Sequence, residues 1–194
     1  MRIFMITQWF PPEHAPIGQM MLELASGLAK SGHKITVVTG FPNHPSGKVF
    51  PGYHKRLIQK EQVNGFNIWR VYLFTSPKRT FFRRILTSVT FIFSAFWAIL
   101  LGGRCDVMIS VLQPLTVGLF APILKKIKHS HLIFNIQDIH PDALIELGII
   151  RNKSLVSLLR RIEIYSYHNM DKITVICDIF KKQIISKGIS QMLQ

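Results

Sequence analysis

The sequence is poor in cysteine and in acidic residues. Its two cysteines, Cys105 and Cys177, lie far apart without the short spacing of metal ligands, so neither a disulfide framework nor a metal cluster is expected. Only 10 Asp and Glu accompany 24 Lys and Arg, which gives a formal net charge of +14. Such an imbalance indicates an anionic partner, and nucleic acid, anionic lipid and phosphorylated substrates all qualify.

Several motifs that identify enzyme classes are also absent. The G-x-G-x-x-G fingerprint is missing, because Ala15 to Gly18 offers a single glycine, and this disfavours an NAD-dependent dehydrogenase. No Walker loop, H-E-x-x-H or G-x-S-x-G occurs. The aromatic residues concentrate in one apolar stretch instead of alternating with lysines on strands, which disfavours nucleic acid. We therefore expect no metal, no cofactor and no nucleic-acid partner.

Length and the amino-terminal pattern predict one cytoplasmic domain. A chain of 194 residues is long enough for one well-buried α/β domain and too short for two of ordinary size. The first apolar run stops at Thr7 and Gln8 and prolines follow, which makes a poor signal peptide. Hydrophobic residues make up 48% of the chain and the mean hydropathy is +0.24, so lipid is the first candidate for contact with apolar surface.

The stretch from Met1 to Gly40 predicts a βαβ unit. Arg2 to Thr7 is an apolar run of strand length, and a proline-rich loop follows it. From Ile17 apolar residues recur at helical spacing until Ser31-Gly32, and Lys34 to Thr39 is the next strand. Such a crossover requires a parallel sheet with the first loop at its carboxyl edge, where ligands bind.

Later segments continue the alternation of strands and helices. Asn64-Gly65 between two strand-like runs predicts a hairpin that extends the sheet's edge. The predicted strands are Lys55 to Glu61, Phe66 to Phe74, Asp106 to Val111, Leu132 to Ile136 and Asp171 to Ile176. The predicted helices are Leu115 to Ile127, Ala143 to Leu147, Lys153 to Tyr167 and a last one that Asp178 caps and that runs to Lys187. The fold class is thus α/β, a Rossmann-like parallel sheet with flanking helices and an edge β-hairpin.

One stretch, Ile85 to Gly103, is uncharged and approaches the ~20 residues needed to cross a bilayer. A span would separate strands of one sheet, and Thr87, Thr90 and Ser94 form a modest polar stripe. We favour an interfacial helix on the anionic inner face of the cell membrane, with a buried core helix and a true span as alternatives. The membrane-surface residues are expected to be Lys78, Arg79, Arg83, Arg84 and Trp97.

Polar residues cluster at the predicted strand exits. Gln137 to Asp142 holds two carboxylates, an imidazole and an amide, which can orient a hydroxyl or balance charge. The alternative is that Asp138 caps a turn and His140 packs beneath the first loop. We expect Glu13 and His140 to converge on one rim. The other candidates for contact with substrate are His14, Gly18, Asn43, His44, Gln113 and Gln137.

The proline-rich loop with P-P-E, a glycine opening the helix, GHKITVVTG and FPNHPSGKVFPGY together resemble the amino-terminal domain of bacterial family 4 glycosyltransferases. The similar subset builds colanic-acid-type and O-antigen polysaccharides and includes fucosamine transferases. Such enzymes have the GT-B fold, in which two Rossmann-like domains face a cleft. The segment from Gln137 resembles their QDLWPES, with Gln137, Asp138 and Pro141 matching and His140 in place of an aromatic residue.

The resemblance implies retaining transfer of a sugar from a nucleotide sugar to a lipid-linked glycan, without a metal. It implies catalytic roles for His140 and Asp138, since related enzymes carry a cleft histidine near this strand end that binds the donor sugar. It also implies that the first loop approaches the donor diphosphate and the acceptor, with Gly18 letting backbone N–H groups meet phosphate oxygens.

The resemblance extends over residues 1–188 and ends at the tail 189–194, where relatives continue into a donor-binding domain. We expect that domain to be absent and the isolated chain to have little transferase activity. Three interpretations stay open: the acceptor-binding half of a polysaccharide glycosyltransferase, an obligate subunit that recruits a separate donor-domain chain, or a non-catalytic membrane-surface module.

Overall fold

The computed structural model describes residues 1–54, 56–78, 80–139, 142, 145, 150 and 152–189. In this part of the chain the strands are β1 (Arg2–Ile6), β2 (Lys34–Gly40), β3 (Ile58–Val63), β4 (Phe66–Val71), β5 (Val107–Val111), β6 (His131–Ile136) and β7 (Lys172–Val175). The helices are α1 (Pro16–Lys30), α2 (Phe81–Leu101), α3 (Val117–Lys128), α4 (Lys153–His168) and α5 (Asp178–Ser186).

The strands form one sheet in the order β3-β4-β2-β1-β5-β6-β7. Every neighbouring pair is parallel except β3 with β4. The order reverses at β1, whose neighbours β2 and β5 continue the chain in opposite directions across the sheet. In a sheet of this kind the crevice for ligands lies beyond the carboxyl ends of the strands, beside that reversal.

Both faces of the sheet are buried, and the alternation of β1 side chains shows how. Ile3 and Met5 point to one face and pack with Met21 of α1. Phe4 and Ile6 point to the other face, into a second core with α2 and α3. These four side chains are each at most 4% exposed, whereas Arg2 at the start of β1 is exposed. Helix α1 thus covers one face while α2 and α3 cover the other.

The predicted hairpin is confirmed. Asn64 and Gly65 have φ values of +50° and +84°, the left-handed backbone that a two-residue hairpin turn requires. Val63 then pairs with Phe66, and β3 extends the sheet beyond β4. The β3 strand begins at Ile58 rather than at the predicted Lys55, which lies outside the described residues.

Helix α2 presents an apolar face to solvent. Phe91, Ile92, Ala95 and Ile99 are buried against the sheet and α3. Around the opposite face lie exposed apolar side chains at helical spacing, and they are Phe82, Leu86, Val89, Phe93, Trp97 and Leu101. Among the described residues it is the one helix long and apolar enough to cross a membrane, but β4 before it and β5 after it share one sheet.

The residues of the polar stripe predicted on α2, Thr87, Thr90 and Ser94, are half-buried. Thr90 Oγ1 accepts the backbone N–H of Phe74 at 2.8 Å, and Thr87 Oγ1 donates to the Arg83 carbonyl at 2.9 Å. Both hydroxyls form hydrogen bonds with the protein's own backbone. The neighbouring apolar side chains of Val89 and Phe93 are the exposed ones. The alternative of a buried core helix is disfavoured, since Phe82 and Leu101 are each 81% exposed.

Two further expectations about helix ends need correction. Asp178 is not the N-cap of the last helix: Cys177 holds that position, and Asp178 lies in the first turn. There its carboxylate is next to the positive end of the helix dipole. The first helix begins at Pro16, one residue before the predicted Ile17, because the first helical position is one where a missing N–H costs no hydrogen bond. The predicted helix 143–147 lies almost entirely outside the described residues.

Candidate functional site

The exit loops of β1, β2, β5 and β6 meet at the carboxyl edge of the sheet and enclose two adjoining hollows. The inner hollow, of about 340 Å³, lies between Ile17 at the start of α1 and Asp138 after β6. The basic hollow, of about 350 Å³, lies between these loops and the first turns of α2. Trp9, His44 and Gln113 line both hollows, so the two form one continuous depression.

Glu13 holds two of these loops together from beneath. Its Oε1 accepts the backbone N–H groups of Asn43 and His44, each at 2.8 Å, and its Oε2 accepts that of Phe10 at 3.4 Å. The side chain is 3% exposed and lines neither hollow. The structure therefore places Glu13, a predicted substrate-binding residue, beneath the hollows, where it positions the loop that carries His44.

Burial gives the Glu13 carboxyl an unusual electrostatic environment. Removal from water raises its pKa, while the N–H groups of Asn43, His44 and Phe10 and the charge of Arg70 lower it. Burial is the largest of these effects, so the net shift is upward. The backbone donors that orient the carboxylate therefore also offset much of the cost of burying it.

Arg70 supports the first loop from the other side, and sequence reasoning missed it. Its Nε donates to Glu61 at 2.9 Å and its Nη2 to the Pro11 carbonyl at 2.6 Å. The guanidinium also lies over the Tyr53 ring, 4.9 Å from its centroid. A signal was present: the hairpin register pairs Gln59 with Arg70, which makes Glu61 a diagonal neighbour on the same face.

Of the two predicted residues beside the first and second strands, His44 is in the site and His14 is not. The His44 ring lines both hollows and packs edge-on against Trp9, with 6.1 Å between ring centroids. His14 is exposed and lines neither hollow. Asn43 lines the basic hollow, and its Nδ2 donates to the Phe41 carbonyl at 2.8 Å.

Gly18 has a packing role that differs from the predicted one. Its N–H donates to the Ala15 carbonyl at 2.9 Å, within the first turn of α1, instead of facing the hollow. A Cβ here would lie 3.2 Å from Phe10 Cα and from the Trp9 carbonyl oxygen. The glycine thus allows α1 to begin directly against the loop after β1.

The far wall of the inner hollow is polar. Gln113 Nε2 donates to Asp138 Oδ2 at 3.3 Å, which joins the exit loops of β5 and β6. Gln137 lines the same hollow, and its Nε2 donates to Asn135 Oδ1 and contacts Met20 Sδ. A carboxylate beside amides can bind sugar hydroxyls. His140, the other predicted catalytic residue, lies outside the described residues.

A partly buried ionic cluster holds Asp142. Lys187 Nζ lies 2.6 Å from both Asp142 Oδ2 and Glu163 Oε1, and the Tyr167 hydroxyl donates to Glu163 at 3.0 Å. Burial raises the pKa of Asp142, but hydrogen bonds and charges of Lys187 and Arg160 outweigh it and the net shift is downward. Asp142 is thereby anchored in ionised form, four residues beyond Asp138.

The basic hollow is suited to an anion. Lys78, Arg83 and Arg84 line it, and Arg83 Nη1 donates to Ser76 Oγ. Its described lining contains no carboxylate. Arg79 lies outside the described residues, and Trp97 lies farther along α2, away from this hollow. Among the described residues, no three His, Cys, Asp or Glu side chains are grouped to hold a metal ion.

Comparisons with known proteins agree on one family. The family described as glycosyl transferase 4-like domain matches residues 17–192. The putative colanic acid biosynthesis glycosyl transferase WcaI of Escherichia coli (strain K12) is 25% identical over 186 residues, which are 93% of this chain and 46% of that protein.

Two solved structures share the fold. Sucrose-phosphate synthase from Thermosynechococcus elongatus superimposes with a TM-score of 0.65 at 13% identity, over 100% of this chain and 47% of that one. The catalytic domain of starch synthase IV from Arabidopsis thaliana, bound to ADP and acarbose, gives a TM-score of 0.57 at 11% identity, over 89% and 44%. The chain thus spans about half the length of each relative.

Proposed function

Because the chain belongs to the glycosyl transferase 4-like domain family, we propose that it forms the acceptor side of a retaining, nucleotide-sugar-dependent glycosyltransferase of bacterial surface polysaccharide synthesis. Its fold is one Rossmann-like half of the GT-B architecture. The proposed acceptor is a lipid-linked glycan. The likeness to WcaI, a putative colanic acid biosynthesis glycosyl transferase, supports the assignment to surface polysaccharide synthesis.

One observation carries the proposal: a hollow lined by basic side chains adjoins a hollow lined by a carboxylate and amides, and His44 lines both. A lipid-linked glycan offers a phosphate and sugar hydroxyls at neighbouring positions. The phosphate suits Lys78, Arg83 and Arg84, whose charges no carboxylate in the described lining neutralises. The sugar suits the inner hollow, where Asp138 and Gln113 present a carboxylate and an amide.

In the proposed reaction the bond from the anomeric carbon to the donor diphosphate breaks and a bond to an acceptor oxygen forms on the same face. The leaving diphosphate takes up the acceptor's proton. The domain then acts by positioning the acceptor and balancing charge. Asp138 and His140 are the proposed catalytic residues at the sugar, and the nucleotide is held mainly by a second Rossmann-like domain that faces this edge.

The same proposal places the domain at the inner face of the cell membrane. The exposed face of α2 carries Phe93, which is 62% exposed, and Trp97, which is 46% exposed. Its first turn carries Arg83 and Arg84, which can meet anionic head groups. A helix with an apolar face and a basic start lies in the interface instead of crossing it.

The test is reconstitution of sugar transfer. The 194-residue chain is assayed with nucleotide sugars and lipid-linked glycan acceptors, alone and together with a nucleotide-sugar-binding GT-B domain. We expect a product that depends on nucleotide sugar and on both domains, and that is lost in Asp138→Asn but kept in the control Glu23→Gln on the exposed face of α1. Activity restored by mixing separate chains would favour the split enzyme. Vesicle binding with no transfer under any pairing would favour the non-catalytic module and overturn the proposal.

A further inference from the structure

A second concave surface runs along α2, away from the two hollows. This groove, of about 890 Å³, lies between α2 and the β3–β4 hairpin. Its walls are mainly apolar, with Leu57, Trp69 and Tyr72 on the hairpin side and Val89, Phe93 and Trp97 on the helix side. Leu57, at the rim, is 83% exposed. We call it the α2 groove.

Specific contacts hold the walls of the α2 groove in place. Trp69 packs edge-on against Phe4, with 5.5 Å between ring centroids. At the end of α2 a Cβ on Gly102 would lie 2.6 Å from the Trp69 ring, so the glycine makes room for it. Nearer the start of the groove, the Phe74 N–H binds Thr90 Oγ1 at 2.8 Å and ties the strand exit to the helix. The groove is thus built into the fold.

Charge at its edges indicates what the groove accepts. Lys60 Nζ lies 4.5 Å from the Trp69 ring centroid at the rim. The α2 groove and the basic hollow share no lining residue, but they are neighbours along α2, where Thr87 and Ser88 line the hollow and Val89 and Thr90 line the groove. The basic side chains of Lys78, Arg83 and Arg84 therefore lie beyond the groove's first turn of α2. An amphiphile with an anionic head and a single apolar chain is complementary to this arrangement.

The length of the groove agrees with that occupant. Along α2 it extends from Val89 to Gly102, which is ~20 Å at 1.5 Å per residue. One leaflet of a bilayer's hydrocarbon core is roughly 15 Å thick. The groove is therefore long enough for one lipid chain lifted out of a leaflet, and it opens on the exposed apolar face of α2.

We propose that the α2 groove holds the hydrocarbon chain of a phosphorylated lipid whose phosphate lies in the basic hollow. This rests on the proposed function, since it makes the lipid part of the glycan acceptor a bound ligand. The groove then selects acceptors by their hydrocarbon chain, independently of the sugar that they carry.

Binding of water-soluble probes to the 194-residue chain tests this proposal. Inorganic phosphate and butyl, octyl and dodecyl phosphate, each below its micelle concentration, are titrated by calorimetry. Burial of each added methylene in the groove should tighten binding about threefold to fourfold. The gain should stop once the chain exceeds the groove. Affinity that does not change with chain length would overturn the proposal, and so would affinity for dodecyl phosphate that appears only on vesicles.

A variant in which a large side chain fills the groove gives a second test. Ser94 is half-buried in the groove wall, so Ser94→Trp occupies the space, and Ser186→Trp on exposed α5 is the matched variant. We expect Ser94→Trp to weaken the binding of dodecyl phosphate by at least about tenfold and to leave the binding of inorganic phosphate unchanged. In the unmodified chain, dodecyl phosphate brominated at its terminal carbon should quench Trp69 and Trp97 emission. Equal binding of dodecyl phosphate by both variants, or no quenching of tryptophan emission, would contradict the proposal that the hydrocarbon chain lies in the α2 groove.

The failure of this inference can be told apart from failure of the proposed function. Sugar transfer is compared on long-chain and butyl-linked acceptors in the two-domain system. If the groove assignment is right, the wild type prefers the long-chain acceptor and Ser94→Trp loses that preference. If only the groove assignment is wrong, Ser94→Trp keeps the wild-type ratio of transfer to the two acceptors. If the proposed function is wrong, neither acceptor gives product with any form of the chain.

Discussion

Glu13 Oε1 accepts the backbone N–H of His44 across 2.8 Å, although 31 residues separate the two in sequence. This bond fixes the loop after β2 to the loop after β1, and the His44 ring then lies where the two hollows meet. The proposed acceptor site thus depends on a buried carboxylate that lines neither hollow.

Glu13→Ala tests this positioning role. The change removes the acceptor of three backbone N–H groups, two of them at 2.8 Å, in a site that is almost closed to water. We expect the free energy of unfolding to fall by about 2–4 kcal/mol, measured by urea denaturation. Glu13→Gln keeps an acceptor oxygen, so its free energy of unfolding should fall by less. A loss no larger than that of Glu23→Ala, on the exposed face of α1, would contradict the role.

Arg70→Met tests the support from the hairpin. The change leaves Glu61 without its cation and the Pro11 carbonyl without its donor, and Arg70 is 1% exposed. Breaking a buried pair from one side is expected to cost about 3–5 kcal/mol in the free energy of unfolding. Arg161→Met, at an exposed position of α4, should stay within about 0.5 kcal/mol. Similar decreases in the free energy of unfolding for Arg70→Met and Arg161→Met would contradict a supporting role for Arg70.

Asp142→Asn tests the ionic cluster through its pH dependence. The pKa of Asp142 lies below its ordinary value of 3.8, so the ionised carboxylate stabilises the folded state above that value. This contribution is lost as the pH falls through the lower, folded-state pKa. The wild type should therefore be more stable than Asp142→Asn at neutral pH, and the two stabilities should converge in acid.

Thermal unfolding between neutral and acid pH measures that difference. Asp178→Asn, on the exposed first turn of α5, is the control, and its difference from the wild type should be small throughout. A wild-type advantage over Asp142→Asn that persists unchanged in acid would show that the charge of this carboxylate is not what stabilises the fold.

Charge reversal at the start of α2 tests the membrane proposal. Arg83→Glu with Arg84→Glu should weaken sedimentation with anionic vesicles by at least about tenfold, because each basic residue near such a surface contributes ~1 kcal/mol. Lys182→Glu with Arg161→Glu gives the same change in net charge at exposed positions away from α2. Equal sedimentation of the two double variants would mean that binding follows net charge and that α2 is not the docking element.

The fold was largely predictable because its signals are local. Apolar runs of strand length, the helical spacing after Ile17 and the Asn64-Gly65 turn each act within a few residues, and the structure contains β1, α1, β2 and the hairpin that they predict. The alternation of strands and helices then requires a parallel sheet and places the exit loops at one edge.

The candidate site was predictable only as a region. Strand order shows which loops share an edge, but the path of each loop decides whether a side chain faces the hollow or the interior. Glu13 and His14 are adjacent, and one is buried while the other is exposed. Arg70 was missed because a charged residue in a strand carries no local signal of its partner. The exposed face of α2 was also not predictable, because it depends on which side of the helix packs against the sheet.

Mapping the acceptor on the protein tests the central claim most directly. A lipid-linked glycan with a photoreactive group on its terminal sugar is cross-linked to the chain, and the labelled peptides are identified by mass spectrometry. We predict labels at the inner hollow, in the segments that hold His44, Gln113 and Asp138, and competition by unlabelled acceptor. Specific labelling that falls on the outer face of α4 and spares those three segments would contradict an acceptor site at the carboxyl edge of the sheet.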